Sequence, residues 1–235
     1  MSDVNPISLY EPALATGGEK ELLRTRLRLA QQALLWKAEG LSDADLRRPM
    51  TNTGTNLIGI IKHLTGVTYG YLVSAFGRER ETFAWEFDEE LFFGLDMWAT
   101  PEESADEIIA AYRRACDAAS KTIDEVDLET TGKHHTGVTV SLRWMILNVL
   151  SDTERHTGHA DVVRELIDGR IGMNSVFPST PPDDDEEFWR MYRARMAGEI
   201  DREAWMAYNR SRPGYDPSAW ENFMRRAHPD RATRR

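Results

Sequence analysis

Four long stretches of this chain repeat apolar residues at helical spacing, and segments rich in glycine and polar residues separate them. Residues 19–39 place Leu22, Leu23, Leu27, Ala30, Leu34 and Leu35 along one face and end at Gly40, a glycine stop. Thr53-Gly54-Thr55-Asn56 opens a second helix, predicted to run to about Gly77, with Leu57, Ile60, Ile61, Leu64, Val67 and Tyr71 as its apolar face. Between the two, Ser42 to Asp45 suit a short capped turn before Pro49. Thr100, Pro101 and Glu103 read as N-cap, first helical residue and third residue of a capping box, which predicts a third helix down to about Val126. The fourth runs from about Ser141 through Trp144, Ile146, Leu150, Val163 and Leu166 to Gly169. Together they predict an all-α four-helix bundle over residues 19–171, followed by a short helical C-terminal extension over 172–235.

Two connections exceed ordinary turns. Residues 77–99 hold Phe83, Trp85, Phe87, Phe92, Phe93 and Trp98, a density that suits a loop covering one end of the bundle or walling a substrate pocket. Residues 127–140 contain glycines and finish in β-branched residues, as a small hairpin does. Beyond Pro178, helical spacing returns at Phe188, Tyr192 and Met196, with further short helices expected around Trp205 and Tyr208 and around Trp220, Phe223 and Met224. No independent core is evident in 181–235, so this segment is expected to clasp the bundle or a second subunit.

Composition narrows the chemistry. A formal net charge of −10 argues against a nucleic-acid partner, because phosphate binding relies on basic surface. No apolar run approaches the ~18 residues of a membrane span, and Met1 to Lys20 has no signal-peptide core, which predicts no membrane association and a cytoplasmic protein. Cys116 is the only cysteine, which excludes an internal disulfide, a thiolate zinc knuckle and a CxxC redox pair. Set among Ala115, Ala118 and Ala119, it reads as a small buried residue, so thiol chemistry would need a sulfur from elsewhere.

The fourth helix carries the most specific chemistry. At ~100° per residue, Asp152, His156 and His159 fall in one stripe about 60° wide, so a carboxylate and two imidazoles point the same way. His63 on the second helix is the natural partner. Gly59, Gly66 and Gly70 share its face, and glycines there cost a helix about 1 kcal/mol each, so something is expected to approach closely. Asp152, His156 and His63 are the first-choice ligands of a divalent metal. His159 is the rival: it would replace Asp152, join as a fourth ligand, or act beside the metal as a base. Zinc suits the set best, with nickel and iron(II) compatible, and a ferritin-like di-iron site is disfavoured because the chain has no Glu-x-x-His. Arg143 and Arg155 on the same helix are placed to hold an anionic group of a substrate. His134 and His135 read as a solvated loop pair, and Lys62 as a residue that reaches solvent.

Thr51-Asn52-Thr53-Gly54-Thr55-Asn56-Leu57, the helix around His63, Ser141-Leu142-Arg143-Trp144 and Arg155-His156-Thr157-Gly158-His159-Ala160-Asp161, in this order and spacing, resemble the DinB/YfiT-like superfamily, in its branch of thiol-dependent transferases and isomerases. The resemblance covers about residues 19–171. It implies a DinB-like four-helix bundle, a divalent metal on His63 and His156, and a homodimer. Where the family has histidine or glutamate four residues before the last-helix histidine, this chain has Asp152. It further implies a co-substrate thiol, mycothiol or bacillithiol, and the arginine-rich composition favours mycothiol. A metal-dependent thiol S-transferase acting on a small electrophile is the resulting expectation, beside a thiol-dependent isomerase or a non-catalytic metal-stabilised bundle.

Overall fold

The computed structural model describes residues 17–172, 185–219 and 222. They fall in two compact units, Met1–Thr180 and Pro181–Arg235. The first is an all-α bundle of four long helices with one short helix and a two-stranded hairpin. α1 spans Glu19–Ala38, α2 Asp43–Arg47, α3 Leu57–Leu72, α4 Ala105–Glu125 and α5 Leu142–Asp168, while β1 (Thr131–Lys133) and β2 (Thr139–Ser141) pair antiparallel before α5.

Local chemistry sets where these helices begin. Ser42, Asn56, Ser104 and Ser141 each accept a hydrogen bond from a backbone N–H of the first turn, as N-caps do. The third long helix starts later than its sequence suggests. Thr100 and Glu103 do form half a capping box, Glu103 Oε2 accepting from the Thr100 N–H at 2.8 Å, but they close a turn and Ser104 caps the helix. α3 also stops short of Gly77, giving way after Leu72 to a 3-10 turn at Ser74–Phe76.

α3 lies centrally, packed on α4 and α5, and α1 packs on α5. One core layer joins Leu34, Ile58, Ile61, Leu64, Tyr112 and Ala160, and a second joins Leu27, Leu72, Ile123, Met145, Ile146 and Val149. Each leucine, isoleucine, valine or methionine among them contributes roughly 1.5–3 kcal/mol on burial. Two buried cations tie α1 to α5. Arg164 donates to the carbonyls of Lys37 and Glu39 at 2.8 Å each, at the negative end of α1, and Lys37 Nζ meets Asp161 at 2.6 Å.

The second unit contains α6 (Glu186–Met196) and α7 (Arg202–Ser211). Contrary to the expectation from sequence, it has a small core of its own. Phe188 is 5% exposed, with Trp189, Tyr192 and Trp205 rings within 5.8 Å. The Arg212 guanidinium covers it at 4.5 Å and is anchored by Asp185 at 2.6 Å. Aromatic side chains are large enough that a handful closes a core between two short helices, which the sparse spacing of apolar positions concealed. The helix expected around Trp220, Phe223 and Met224 lies outside the described residues. No helix among the described residues is long and apolar enough to cross a membrane.

Candidate metal centre

The loop between α3 and α4 determines the site. It is built of 3-10 turns at Ala84–Phe87, Glu89–Phe93 and Leu95–Met97, and it packs on the glycine face of α3. A Cβ at Gly59 would stand 1.7 Å from the Met97 carbonyl oxygen, and one at Gly66 would stand 2.8 Å from the Trp85 ring. Two of the three glycines beside His63 are therefore glycine because this loop touches the helix there, whereas a Cβ at Gly70 would meet nothing within 4 Å. The approach delivers Asp96, whose Oδ2 lies 2.7 Å from His63 Nδ1.

His63 Nε2 faces the other way, toward α5. Asp152 Oδ2 lies 3.5 Å from it, and Asp152 Oδ1 lies 3.5 Å from His156 Nε2. The ligand atoms of His63, Asp152 and His156 all fall within 4.8 Å of one another, the one such grouping of three or more metal-binding side chains among the described residues. The separations of 3.5 Å are long for hydrogen bonds between charged partners. They match the spacing of about 3.3 Å between ligands around a tetrahedral ion with bonds of about 2.0 Å. His156 is in the same position throughout its ring: Nδ1 is buried and has no hydrogen-bond partner. An unsatisfied buried nitrogen costs roughly 1–3 kcal/mol. The three residues fit a divalent cation, and Asp96 supplies the outer carboxylate that commonly fixes a ligating imidazole.

Electrostatics express the same crowding of charge. Burial pushes the His63 imidazole down, but Asp152 and Asp96 on its two nitrogens outweigh burial and bring it up to about 9. The His63 hydrogen bond holds Asp96 and Asp152 below the usual carboxylate range, against burial. Burial, and then the charge of His63, push His156 down. Without a cation, the cluster is thus a protonated His63 between two carboxylates beside a neutral His156.

The remaining expected site residues are distributed unevenly. His159 is exposed, one turn along α5, its ring 5.4 Å from that of His156 and outside the three-residue cluster. Arg155 is exposed beside the cluster, where its charge helps lower both Asp152 and His156. Arg143 is not brought there. It sits at the start of α5, paired with Glu19 at 2.7 Å and with Glu129. Lys62 corrects the expectation of a solvated side chain: it is 1% exposed, with Nζ donating to Glu103 Oε2 at 2.8 Å and to the Trp98 carbonyl at 3.0 Å. It lines a cavity of about 390 Å³ with Phe83, Trp85, Ile108 and Ala111, which includes none of the cluster residues. The aromatic loop is thus divided, since Phe87, Phe92 and Phe93 are largely exposed. Cys116 is buried, and burial pushes its thiol far above the ordinary value, so it is inert at neutral pH.

Sequence reasoning missed Asp96. Its signal was a lone acid in Gly94-Leu95-Asp96-Met97-Trp98, in a loop that the glycines of α3 already required to come close.

An imidazole of α3 facing a carboxylate–imidazole pair of α5, opposite a loop that anchors the first, makes this all-α bundle one with a candidate metal site. A family model of mycothiol S-transferases matches residues 22–169, more than half of the chain, and the chain belongs to that family, a DinB-like one. No curated protein matches the chain.

Proposed function

We propose that this protein is a metal-dependent transferase that joins mycothiol, through its sulfur, to a small electrophile. The observation that carries the proposal is the His63–Asp152–His156 cluster at ligand spacing, with His63 backed by Asp96, in a chain of the mycothiol S-transferase family. His63, Asp152 and His156 would hold the ion, zinc by preference, with nickel or iron(II) compatible with the same donors. When bound, such a dication ionises a coordinating thiol whose free pKa is ~8.5.

The chain's own residues have separable tasks. Asp96 fixes the ring orientation of His63 through Nδ1, leaving Nε2 for the site. With His159 outside the cluster, three protein ligands would hold the ion, the number that would allow a thiol to coordinate as well. His159 is then the group to accept the thiol proton and pass it to solvent. The thiolate sulfur forms the new C–S bond, and the leaving group departs from the electrophile with its electron pair. Arg155, exposed beside the cluster, offers a cation to an anionic group of either substrate. Buried Cys116 takes no part, so the nucleophilic sulfur is mycothiol's. We further propose a cytoplasmic homodimer, the compartment being that of a low-molecular-weight thiol.

Elemental analysis of protein purified without chelator, followed by a thiol-transfer assay with mycothiol and monobromobimane, tests the proposal. About one divalent ion per chain is expected, with loss of both metal and turnover in His63→Ala. Full metal occupancy in His63→Ala and His156→Ala, or a wild-type rate no higher than that of His63→Ala, would overturn it.

A further inference from the structure

The hairpin that joins α4 to α5 folds back on α3, and its histidines meet Tyr71 there. His134 Nδ1 accepts from the Thr136 backbone N–H at 3.1 Å, with the Thr136 hydroxyl at 2.7 Å. A ring nitrogen that accepts a backbone N–H carries no proton, so the proton of neutral His134 is on Nε2, 2.9 Å from the Tyr71 hydroxyl. Burial and the adjoining His135 push the His134 imidazole down, which keeps it neutral. Tyr71 therefore accepts from His134 and retains its own proton to donate. Burial, and then the charge of Asp152, hold this phenol above its ordinary value, with Asn148 beside it opposing.

This group continues the metal centre along one seam. Tyr71 follows His63 by eight residues on α3, about 12 Å along the axis, and Asn148 stands one turn before Asp152 on α5. Trp144, one turn further, is 44% exposed, its ring edge-on to that of His134 at 5.9 Å. The strip thus offers an O–H donor directed by the hairpin's His134, and an amide and a flat indole carried by α5. That combination of a few placed polar groups with an apolar aromatic surface suits a ring bearing several hydroxyls. It corrects the expectation of a merely solvated pair for His134, while His135 is exposed.

We propose that Tyr71, Asn148 and Trp144, with His134 positioning Tyr71, form the subsite for the hydroxyl-rich body of the thiol whose sulfur reaches the His63–Asp152–His156 cluster. The proposal rests on the thiol-transfer function above. Mycothiol, a cysteine thiol carried on an amino sugar and a cyclitol, has such a body, and N-acetylcysteine has the same thiol without it.

Calorimetry of the zinc-loaded full chain with these two thiols tests the subsite. Wild-type protein is expected to bind mycothiol at least tenfold more tightly than N-acetylcysteine. Tyr71→Phe and His134→Phe should each weaken mycothiol about tenfold, the effect of one lost hydrogen bond, while N-acetylcysteine affinity and zinc content stay unchanged. Trp144→Ala, truncated at an exposed position that leaves the core intact, should do the same. Equal wild-type affinities for the two thiols, or variants that weaken both alike, would overturn the subsite and leave the thiol-transfer function standing. Failure of wild-type protein to bind either thiol would overturn that function, and this subsite with it.

Discussion

Raising the pH from about 6.5 to about 9 is expected to destabilise the metal-free protein, and His63 is the cause. Its imidazolium sits between Asp96 at 2.7 Å and Asp152 at 3.5 Å, which bring it up to about 9 although burial opposes the charge. The folded value lies above the unfolded one of 6.5. The stabilisation is therefore complete below 6.5, where both states hold the proton, and is lost as pH climbs through 9. A gap from 6.5 to about 9, at about 1.4 kcal/mol for each tenfold, corresponds to about 3 kcal/mol. For a chain of this size that is roughly 6–12 °C in melting temperature. Asp96 and Asp152 add nothing in this window, because both are held below the usual carboxylate range and stay ionised throughout it. The assay is a series of thermal melts of chelator-treated protein across the window for wild type, His63→Gln and Asp96→Asn. Wild type should lose stability with pH, His63→Gln should lose much less, and Asp96→Asn should fall between them. The same proton must leave when a cation binds, so zinc affinity should rise roughly tenfold per pH unit up to about 9. Parallel melting curves for wild type and His63→Gln, or zinc affinity independent of pH, would refute the reasoning.

The three glycines beside His63 should respond differently to alanine. Gly59→Ala places a methyl against the Met97 backbone carbonyl and should lose about 1–3 kcal/mol by urea denaturation, with weaker zinc uptake as the Asp96 loop shifts, whereas Gly70→Ala meets open space and should gain up to about 1 kcal/mol. Lys62→Met should cost on the order of 2 kcal/mol by leaving Glu103 short of a partner, and the double variant with Glu103→Gln should recover most of it in the same measurement. Cys116→Ser should keep thiol-transfer activity within a few-fold in the bimane assay, since burial keeps that thiol protonated.

The bundle was legible because its helices carry their own boundaries. Periodicity located α1, α3, α4 and α5, and Gly40 and Gly169 took the left-handed conformation expected after a helix end. The errors arose where two local signals competed. Thr100-Pro101-Glu102-Glu103 and Ser104 both offer a helix start, and Glu103 Oε2, while it accepts from the Thr100 N–H, is also held by Lys62, whose buried ammonium requires a carboxylate. That requirement is tertiary, and no window of sequence around Thr100 contains it. Lys62 itself was misread for the same reason. On a helical wheel it leaves the His63 face, but α3 is surrounded, so leaving one face means entering another interface.

The centre was legible in proportion to how far its residues depend on helix geometry. Asp152 and His156 share a stripe of one helix, so their alignment follows from 3.6 residues per turn, and His63 was drawn in by the glycines around it. The glycines signalled contact but not with what, and the answer came from an irregular loop where no periodicity sets a side chain's direction. Asp96 reaches Nδ1 because Met97 rests its carbonyl on Gly59 one residue later, so the carboxylate that orients the His63 imidazole is placed by a missing Cβ on the helix bearing that imidazole. The same physics separates His159 from the cluster. It shares the α5 stripe, but it joins no grouping of three metal-binding side chains among the described residues, and its imidazole is exposed. A stripe on one helix names the groups that face a neighbour; which of them become ligands depends on the second helix and on the loop that holds its histidine.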